Sequence, residues 1–113
     1  MKTKPIVGII TNQASGFNGR QLLHAVGQRY VGSVMHFSDV IPTLIPTCLS
    51  KSDLENYLSA IDGIMLTGGR ANIEPHHFDG NKFPEDEHID PDRDRTVLGL
   101  IDACVKREMP IFG

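Results

Sequence analysis

The stretch Ile61-Asp62-Gly63-Ile64-Met65-Leu66-Thr67-Gly68-Gly69 contains an apolar run that stops at two adjacent glycines. A run without polar alternation is typical of a strand buried on both faces of a parallel sheet, so Ile61–Leu66 is predicted to be a strand. Gly68 and Gly69 let the backbone turn sharply and expose N–H groups where this strand ends. Such groups can stabilise an oxyanion or bind a carboxylate, and the alternative is a simple turn from strand to loop.

Two more strands and two helices are predicted on the N-terminal side of this stretch. Pro5–Ile10 is apolar and β-branched, and Ile41–Ile45 is a shorter candidate flanked by prolines. Between them, Gln28–Phe37 has apolar residues at helical spacing. Ser50 or Ser52 is predicted to cap a second, short helix.

Three further segments are not predicted to form a strand or a full helix. Asn12–Gly19 carries Asn, Ser and two glycines, and it has no Lys-Ser/Thr ending of a phosphate-binding loop. Leu22–Val26 is predicted to be either an early helical turn or a packed loop. Arg70–Ile89 is polar and long for a connection, which indicates function or mobility.

The clearest helix begins at Asp90-Pro91. Asp90 is predicted to be the N-cap, and Pro91 takes the first helical position, where its missing N–H leaves no partner unsatisfied. The predicted buried face consists of Val97, Leu98, Ile101, Cys104 and Val105. Pro110–Gly113 is then predicted to begin another strand.

Strands therefore alternate with helices along the chain. This order predicts right-handed parallel crossovers and a sheet covered on both faces. Ligands of such sheets bind beyond the carboxyl ends of the strands. The loops expected at that edge are Thr11–Gly19, Thr47–Ser52 and the segment after Thr67.

Composition limits the functions that are open to the chain. Its 113 residues suffice for one domain or part of one, and 40% hydrophobic with 22% charged residues argues against disorder. A net charge of −3 with 6% aromatic residues is unfavourable for binding nucleic acid, and apolar runs of about five residues are too short to span a membrane. Two cysteines do not suggest a disulfide framework, so the cytoplasm is the expected compartment.

The long loop gathers several possible metal ligands: Glu74, His76, His77, Asp79, Glu85, Asp86, Glu87 and His88. Adjacent histidines in an extended loop are expected to point to opposite sides, and no pair has the i, i+4 spacing of a helical zinc site. We therefore expect a solvated charged loop and no metal or other cofactor.

The two cysteines are predicted to be structural. Cys104 lies on the apolar face of the last helix, where a free cysteine usually behaves as a small buried hydrophobe. Cys48 follows a predicted strand, but it has neither a strand-turn-helix elbow nor glycine neighbours, so loop packing is expected rather than nucleophilic attack.

Several motifs together resemble one known family. They are Leu66-Thr67-Gly68-Gly69, Asn72-Ile73-Glu74-Pro75 and Asp90-Pro91-Asp92-Arg93-Asp94, preceded by Pro5-Ile6-Val7-Gly8-Ile9 and the segment from Tyr30-Val31 to Pro46. In this order they resemble the class I glutamine amidotransferase-like family, and within it the branch of gamma-glutamyl-gamma-aminobutyrate hydrolases. The resemblance covers almost the whole chain.

The resemblance implies a flavodoxin-like, three-layer α/β/α fold with a parallel central sheet. Residues 1–113 would form about the first half of a single domain of this family. Members cleave a γ-glutamyl amide through a Cys-His-Glu triad and a thioester. Their cysteine normally lies on an elbow after the strand that begins here at Pro110. Because the sequence stops at Gly113, no nucleophile is expected in it, and the chain alone is predicted to be inactive.

The resemblance also suggests site residues. Gly68 and Gly69 match the glycines of the oxyanion loop, whose backbone N–H groups would bind the oxygen that gains charge. Asn72 and Arg93 match motif positions that are candidates for substrate contact. Structural roles are the stronger expectation for both, with Arg93 forming an ion pair with Asp90 or a neighbouring acid.

Two functional hypotheses stay open. The first is the N-terminal portion of an enzyme acting on a γ-glutamyl small molecule, by hydrolysis or by amide transfer. The second is a non-catalytic remnant that binds a ligand or forms a homo-oligomer through the apolar sheet edge beyond Phe112. The ending itself is compatible with a fragment of a longer enzyme and with a genuinely short protein.

Overall fold

The computed structural model describes residues 4–113, which form an α/β fold. Its strands are β1 (Ile6–Ile10), β2 (Asn12–Gly16), β3 (Gln21–Ala25), β4 (Ile41–Ile45), β5 (Gly63–Met65) and β6 (Ile111–Phe112). Its helices are α1 (Gln28–Phe37), α2 (Lys51–Ser59) and α3 (Pro91–Arg107), with a single 3-10 turn at Pro75–His77.

A four-stranded parallel sheet in the order β4-β1-β5-β6 is the centre of the fold. The first parallel strand, β1, lies between the second and the third, which is the order that opens a flavodoxin-like sheet. Ile6 of β1 is in register with Ile41 of β4, and Val7 is in register with Gly63 of β5. The predicted fold class is confirmed.

The hydrophobic core lies between one face of this sheet and helices α2 and α3. Ile10 and Ile45 from the sheet are fully buried there, together with Leu100 and Cys104 of α3. Helix α1 supplies no residue to this core and has no buried residue of its own. It lies beside β4 on the opposite face, where side chains such as Val7 alternate with those that point into the core.

An apolar groove of about 480 Å³ remains open between α1 and strands β5 and β6. Val34 and Phe37 line it from the helix, and Met65 and Phe112 line it from the sheet. Phe37 and Phe112 are 81% and 70% exposed, so this face of the sheet is only partly covered in the described chain.

The loop predicted at Asn12–Gly19 is wrong for Asn12–Gly16, which forms β2, whereas residues 17–19 do lie in a turn. Both alternatives for Leu22–Val26 are wrong, because residues 22–25 lie in β3. Strands β2 and β3 pair antiparallel in a separate two-stranded ribbon, with Asn12 opposite Ala25. Three residues with positive φ, Phe17, Asn18 and Gly19, reverse the chain between them. The ribbon has no fully buried residue, so its sequence lacks the apolar pattern by which buried strands are recognised.

The other elements follow their predictions with smaller corrections. Ser50, not Ser52, caps α2 by accepting a hydrogen bond from the Asp53 N–H at 3.1 Å. Strand β5 is shorter than predicted and covers only Gly63–Met65. Val105 was predicted to be buried but is 68% exposed, because it lies at the edge of the buried face of α3.

No helix in residues 4–113 is both long enough and apolar enough to cross a membrane.

Candidate functional site

The carboxyl ends of the parallel strands form one rim of the sheet, and buried threonines join them. Thr11, directly after β1, donates its hydroxyl to the Ile45 carbonyl oxygen of β4 at 2.7 Å. Thr67, after β5, donates to the Ile10 carbonyl oxygen of β1 at 3.1 Å. The Ile45 carbonyl oxygen also accepts the Thr11 backbone N–H at 3.2 Å, so backbone and side-chain hydrogen bonds together connect the strand ends along the rim.

Gly68 and Gly69 lie on this rim and are both exposed. The Leu66 N–H donates to the Phe112 carbonyl oxygen at 2.8 Å, so the turn emerges beside the end of β6. Neither glycine N–H donates to another residue within the described range 4–113. The turn therefore presents unoccupied donors next to the point where the last strand ends.

Close approach by neighbours, not backbone strain, explains why glycine suits these two positions. Neither has a positive φ. A Cβ atom on Gly69 would fall onto Oδ1 of Asn12, and one on Gly68 would lie 3.3 Å from the Tyr30 hydroxyl oxygen. Asn12 also donates from Nδ2 to the Gly68 carbonyl oxygen at 3.3 Å. Sequence reasoning missed Asn12, whose position directly after the Thr11 strand end was the available signal.

Arg93 reaches the same turn from the first turn of α3. It is 9% exposed, and its Nη2 donates to the Thr67 carbonyl oxygen, with the Thr67 hydroxyl 3.5 Å away. The ion pair predicted between Arg93 and Asp90 or a neighbouring acid is not formed within residues 4–113, and the contact with Asp90 is of a different kind. The Asp90 carboxylate caps the helix by accepting the Arg93 backbone N–H at 3.1 Å. Arg93 thus ties α3 to the end of β5.

The charge of Arg93 is maintained inside the domain. Burial lowers the pKa of its guanidinium, while the carboxylates of Asp90 and Asp94 act in the opposite direction. An arginine has so high an ordinary pKa that it keeps its proton under these conditions. Its Nε is buried and has no hydrogen-bond partner among the described residues. The Nη2 contact with Thr67 is therefore the guanidinium's principal hydrogen bond in that part of the chain.

Asp94 anchors the beginning of the long loop. Its side chain is 3% exposed, and Oδ2 accepts the Glu74 N–H at 3.0 Å and lies 4.0 Å from Nε2 of His77. The sequence analysis named Asp94 only as part of the motif that begins the helix and did not predict this anchoring contact. The available signal was its spacing of three residues from Val97 on the buried face of α3.

The other candidate site residues of the loop 70–89 form no hydrogen bond with the carboxyl rim of the sheet among the residues that the structure describes. Asn72 is exposed and forms no hydrogen bond with another residue in 4–113. The rings of His76 and His77 lie side by side with centroids 4.0 Å apart and planes tilted by 37°, so the expectation that they point to opposite sides is wrong. No three His, Cys, Asp or Glu residues of the described chain are grouped to hold a metal ion.

The cysteines occupy different environments. Cys104 is fully buried, as predicted, and burial raises the pKa of its thiol. Cys48 is exposed in the segment after β4. A reactive cysteine needs a stabilised thiolate, so the buried Cys104 is unsuited to nucleophilic attack.

A parallel sheet with an exposed glycine turn and a buried arginine at its carboxyl rim defines an α/β domain whose candidate binding site lies at that rim. The model of the Peptidase C26 family matches residues 5–113, and the chain belongs to that family.

Relatives with curated names agree with this membership. The chain is 32% identical over 112 residues to the gamma-glutamyl-gamma-aminobutyrate hydrolase of Escherichia coli O157:H7. It is 30% identical over 112 residues to the protein of the same name in Shigella flexneri. Each match covers 96% of this chain but 41% of the relative, so the chain spans about two-fifths of the relatives' length.

Proposed function

We propose that this chain forms the oxyanion-binding portion of an enzyme that cleaves γ-glutamyl amides. The observation that carries the proposal is the exposed Gly68–Gly69 turn, whose N–H groups have no partner in residues 4–113. The named relatives are hydrolases of gamma-glutamyl-gamma-aminobutyrate, which makes a γ-glutamyl small molecule the proposed substrate.

The proposed chemistry is acyl transfer. A thiolate attacks the γ-carbonyl carbon, and the carbonyl oxygen becomes an oxyanion in the tetrahedral intermediate. Donors at Gly68 and Gly69 stabilise that charge, and loss of one such donor typically costs about 3 kcal/mol of barrier. The C–N bond then breaks, and the amine leaves with a proton from the protonated base. Water hydrolyses the resulting thioester to a carboxylate and releases the thiolate.

We assign neither cysteine of this chain as the nucleophile. Cys104 is buried in the core, and Cys48 lies in a segment without an elbow or a described hydrogen-bonded base. The proposal places the thiolate and its base on polypeptide beyond the 113 residues, so the chain alone is expected not to hydrolyse γ-glutamyl amides. Hydrolysis by the isolated chain that is lost in C48A would contradict this assignment.

The oxyanion role is tested in a chimaera that joins residues 1–113 to the remaining length of the Escherichia coli relative. Gly69→Ala is expected to lower kcat by roughly 10²-fold, because the new methyl group displaces Asn12 and the turn. Gly32→Ala is the matched control, since its Cβ would meet no atom within 4 Å. An active chimaera in which both variants keep full kcat would refute the oxyanion role.

A second candidate is a non-catalytic module that associates through its sheet edge. The observation that favours it is the apolar groove beside β6, with Phe37 and Phe112 largely exposed. Edge strands with apolar side chains readily pair with other chains.

A further inference from the structure

The carbonyl groups of Thr67 and Gly68, which precede the N–H groups of Gly68 and Gly69, each accept a hydrogen bond from a side chain. The Thr67 carbonyl oxygen accepts from Nη2 of Arg93, and the Gly68 carbonyl oxygen accepts from Nδ2 of Asn12 at 3.3 Å. Thr67 C=O shares a peptide plane with the Gly68 N–H. In the same way, Gly68 C=O shares a plane with the Gly69 N–H.

The planar geometry of the peptide group fixes the directions of the Gly68 and Gly69 N–H bonds once the preceding carbonyl groups are fixed. The peptide bonds of the described chain are trans, and in a trans peptide the C=O and the following N–H point in opposite directions. The Gly68 N–H therefore points away from the Arg93 guanidinium. The Gly69 N–H points away from the Asn12 amide.

The same contacts strengthen the donors. A hydrogen bond to a carbonyl polarises its peptide group, and chains of hydrogen bonds reinforce one another in a low-dielectric environment. Arg93 is charged and 9% exposed, so its effect on the Thr67–Gly68 peptide is weakly screened. Asn12 is neutral and only partly buried, so its contribution is mainly orientation.

We propose that Arg93 and Asn12 are positioning residues that aim the Gly68 and Gly69 N–H groups at the reacting oxygen. This inference rests on the oxyanion role proposed above. It also accounts for glycine at position 69, because the Asn12 side chain occupies the space that a Cβ would need.

The first test is NMR of the 113-residue chain with 15N-labelled glycine. Arg93→Met is expected to move the Gly68 amide 15N resonance upfield, because the hydrogen bond to the preceding carbonyl is lost. Asn12→Asp is expected to move the Gly69 resonance, because a carboxylate cannot donate. Residual dipolar couplings should report reorientation of the same two N–H vectors.

Matched controls separate positioning from general stabilisation. Arg95→Met alters an exposed arginine on the same helix, and Asn18→Asp makes the same chemical change in the exposed hairpin turn. Neither should move the Gly68 or Gly69 resonances.

Arg93→Lys, which keeps the charge but not the planar fork, should recover part of the Gly68 shift. If Arg93→Met does not fold, Asn12→Asp carries the test. Unchanged glycine resonances in a folded variant would overturn the inference.

Kinetics in the chimaera distinguish this inference from the function on which it rests. Arg93→Met and Asn12→Asp are expected to lower kcat at least 10-fold with little change in KM. If Gly69→Ala lowers kcat and neither of these variants does, the positioning roles are wrong while the oxyanion role stands. If none of the three lowers kcat, both are wrong.

Discussion

Asp94 is a buried acidic residue with a structural role in the fold. Its carboxylate is almost fully buried, and it accepts the Glu74 N–H at 3.0 Å. This contact fixes one end of a loop that has little regular structure of its own. A buried carboxylate in such a role stabilises the fold only while its partner is present.

We expect Asp94→Ala to lower the free energy of unfolding by about 1–3 kcal/mol, because the Glu74 N–H loses its buried acceptor. Urea denaturation provides the measurement. Asp102→Ala on the same helix is the control: its exposed pair with Lys106 should contribute less than about 1 kcal/mol. Equal losses in the two variants would argue against an anchoring role for Asp94.

The two thiols should differ in reactivity. Burial raises the pKa of Cys104 and hides its sulfur, whereas Cys48 is exposed. With a thiol reagent such as Ellman's reagent, we expect one thiol to react rapidly in the native protein and the second only after urea is added. Raising the pH within the native range should not make Cys104 reactive, because its sulfur stays buried. Two equally fast thiols would show that the core around Cys104 opens readily.

At the level of the elements, the hairpin of β2 and β3 depends on its turn. Gly19 has φ 81°, and a Cβ there would meet only the Ser15 Oγ at 3.7 Å, so dihedral strain is the sole objection to alanine. Gly19→Ala is expected to lower the free energy of unfolding by about 1 kcal/mol.

The matched variant Gly32→Ala should have the opposite sign. Gly32 lies within α1 with open space around its Cβ position, and alanine is favoured over glycine in a helix by about 0.5–1 kcal/mol. Thermal unfolding of both variants gives the comparison. A stabilising Gly19→Ala would mean that the turn does not keep this conformation in solution.

The elements also differ in how well the sequence predicts them. Helix α3 has an N-cap at Asp90, proline at the first position and a buried apolar face, and all three signals are local. Strand β1 is recognisable because it is continuously apolar, and its last three residues are buried in the parallel sheet. Strand β4 is recognisable by its isoleucines and leucine, although only Ile45 is buried. The hairpin has no such signal, since its stability comes from pairing between strands whose residues are mostly exposed or half-buried.

On the scale of the whole molecule, the groove between α1 and β6 leaves one face of the sheet only partly covered. We expect the 113-residue chain to self-associate with increasing concentration, because Phe37 and Phe112 expose apolar surface beside an edge strand. Sedimentation velocity is the measurement. Phe112→Lys should shift the chain toward monomer, whereas Val105→Lys, on exposed α3 surface, should not. A chain that stays monomeric at every concentration would exclude this mode of association.

Local sequence patterns were enough to predict the α/β class and the order along the chain in which the parallel strands and the helices follow one another. They also predicted the N-cap of α3 and the burial of Cys104. Each of these follows from periodic burial or from capping chemistry within a few neighbouring residues. The rim contacts have a different origin: Arg93 meets Thr67 across 26 positions and Asn12 meets Gly68 across 56. These hydrogen bonds form only when the crossover connections bring distant strand ends to the same edge of the sheet. No short-range sequence pattern therefore predicts which side chain will donate to which carbonyl group.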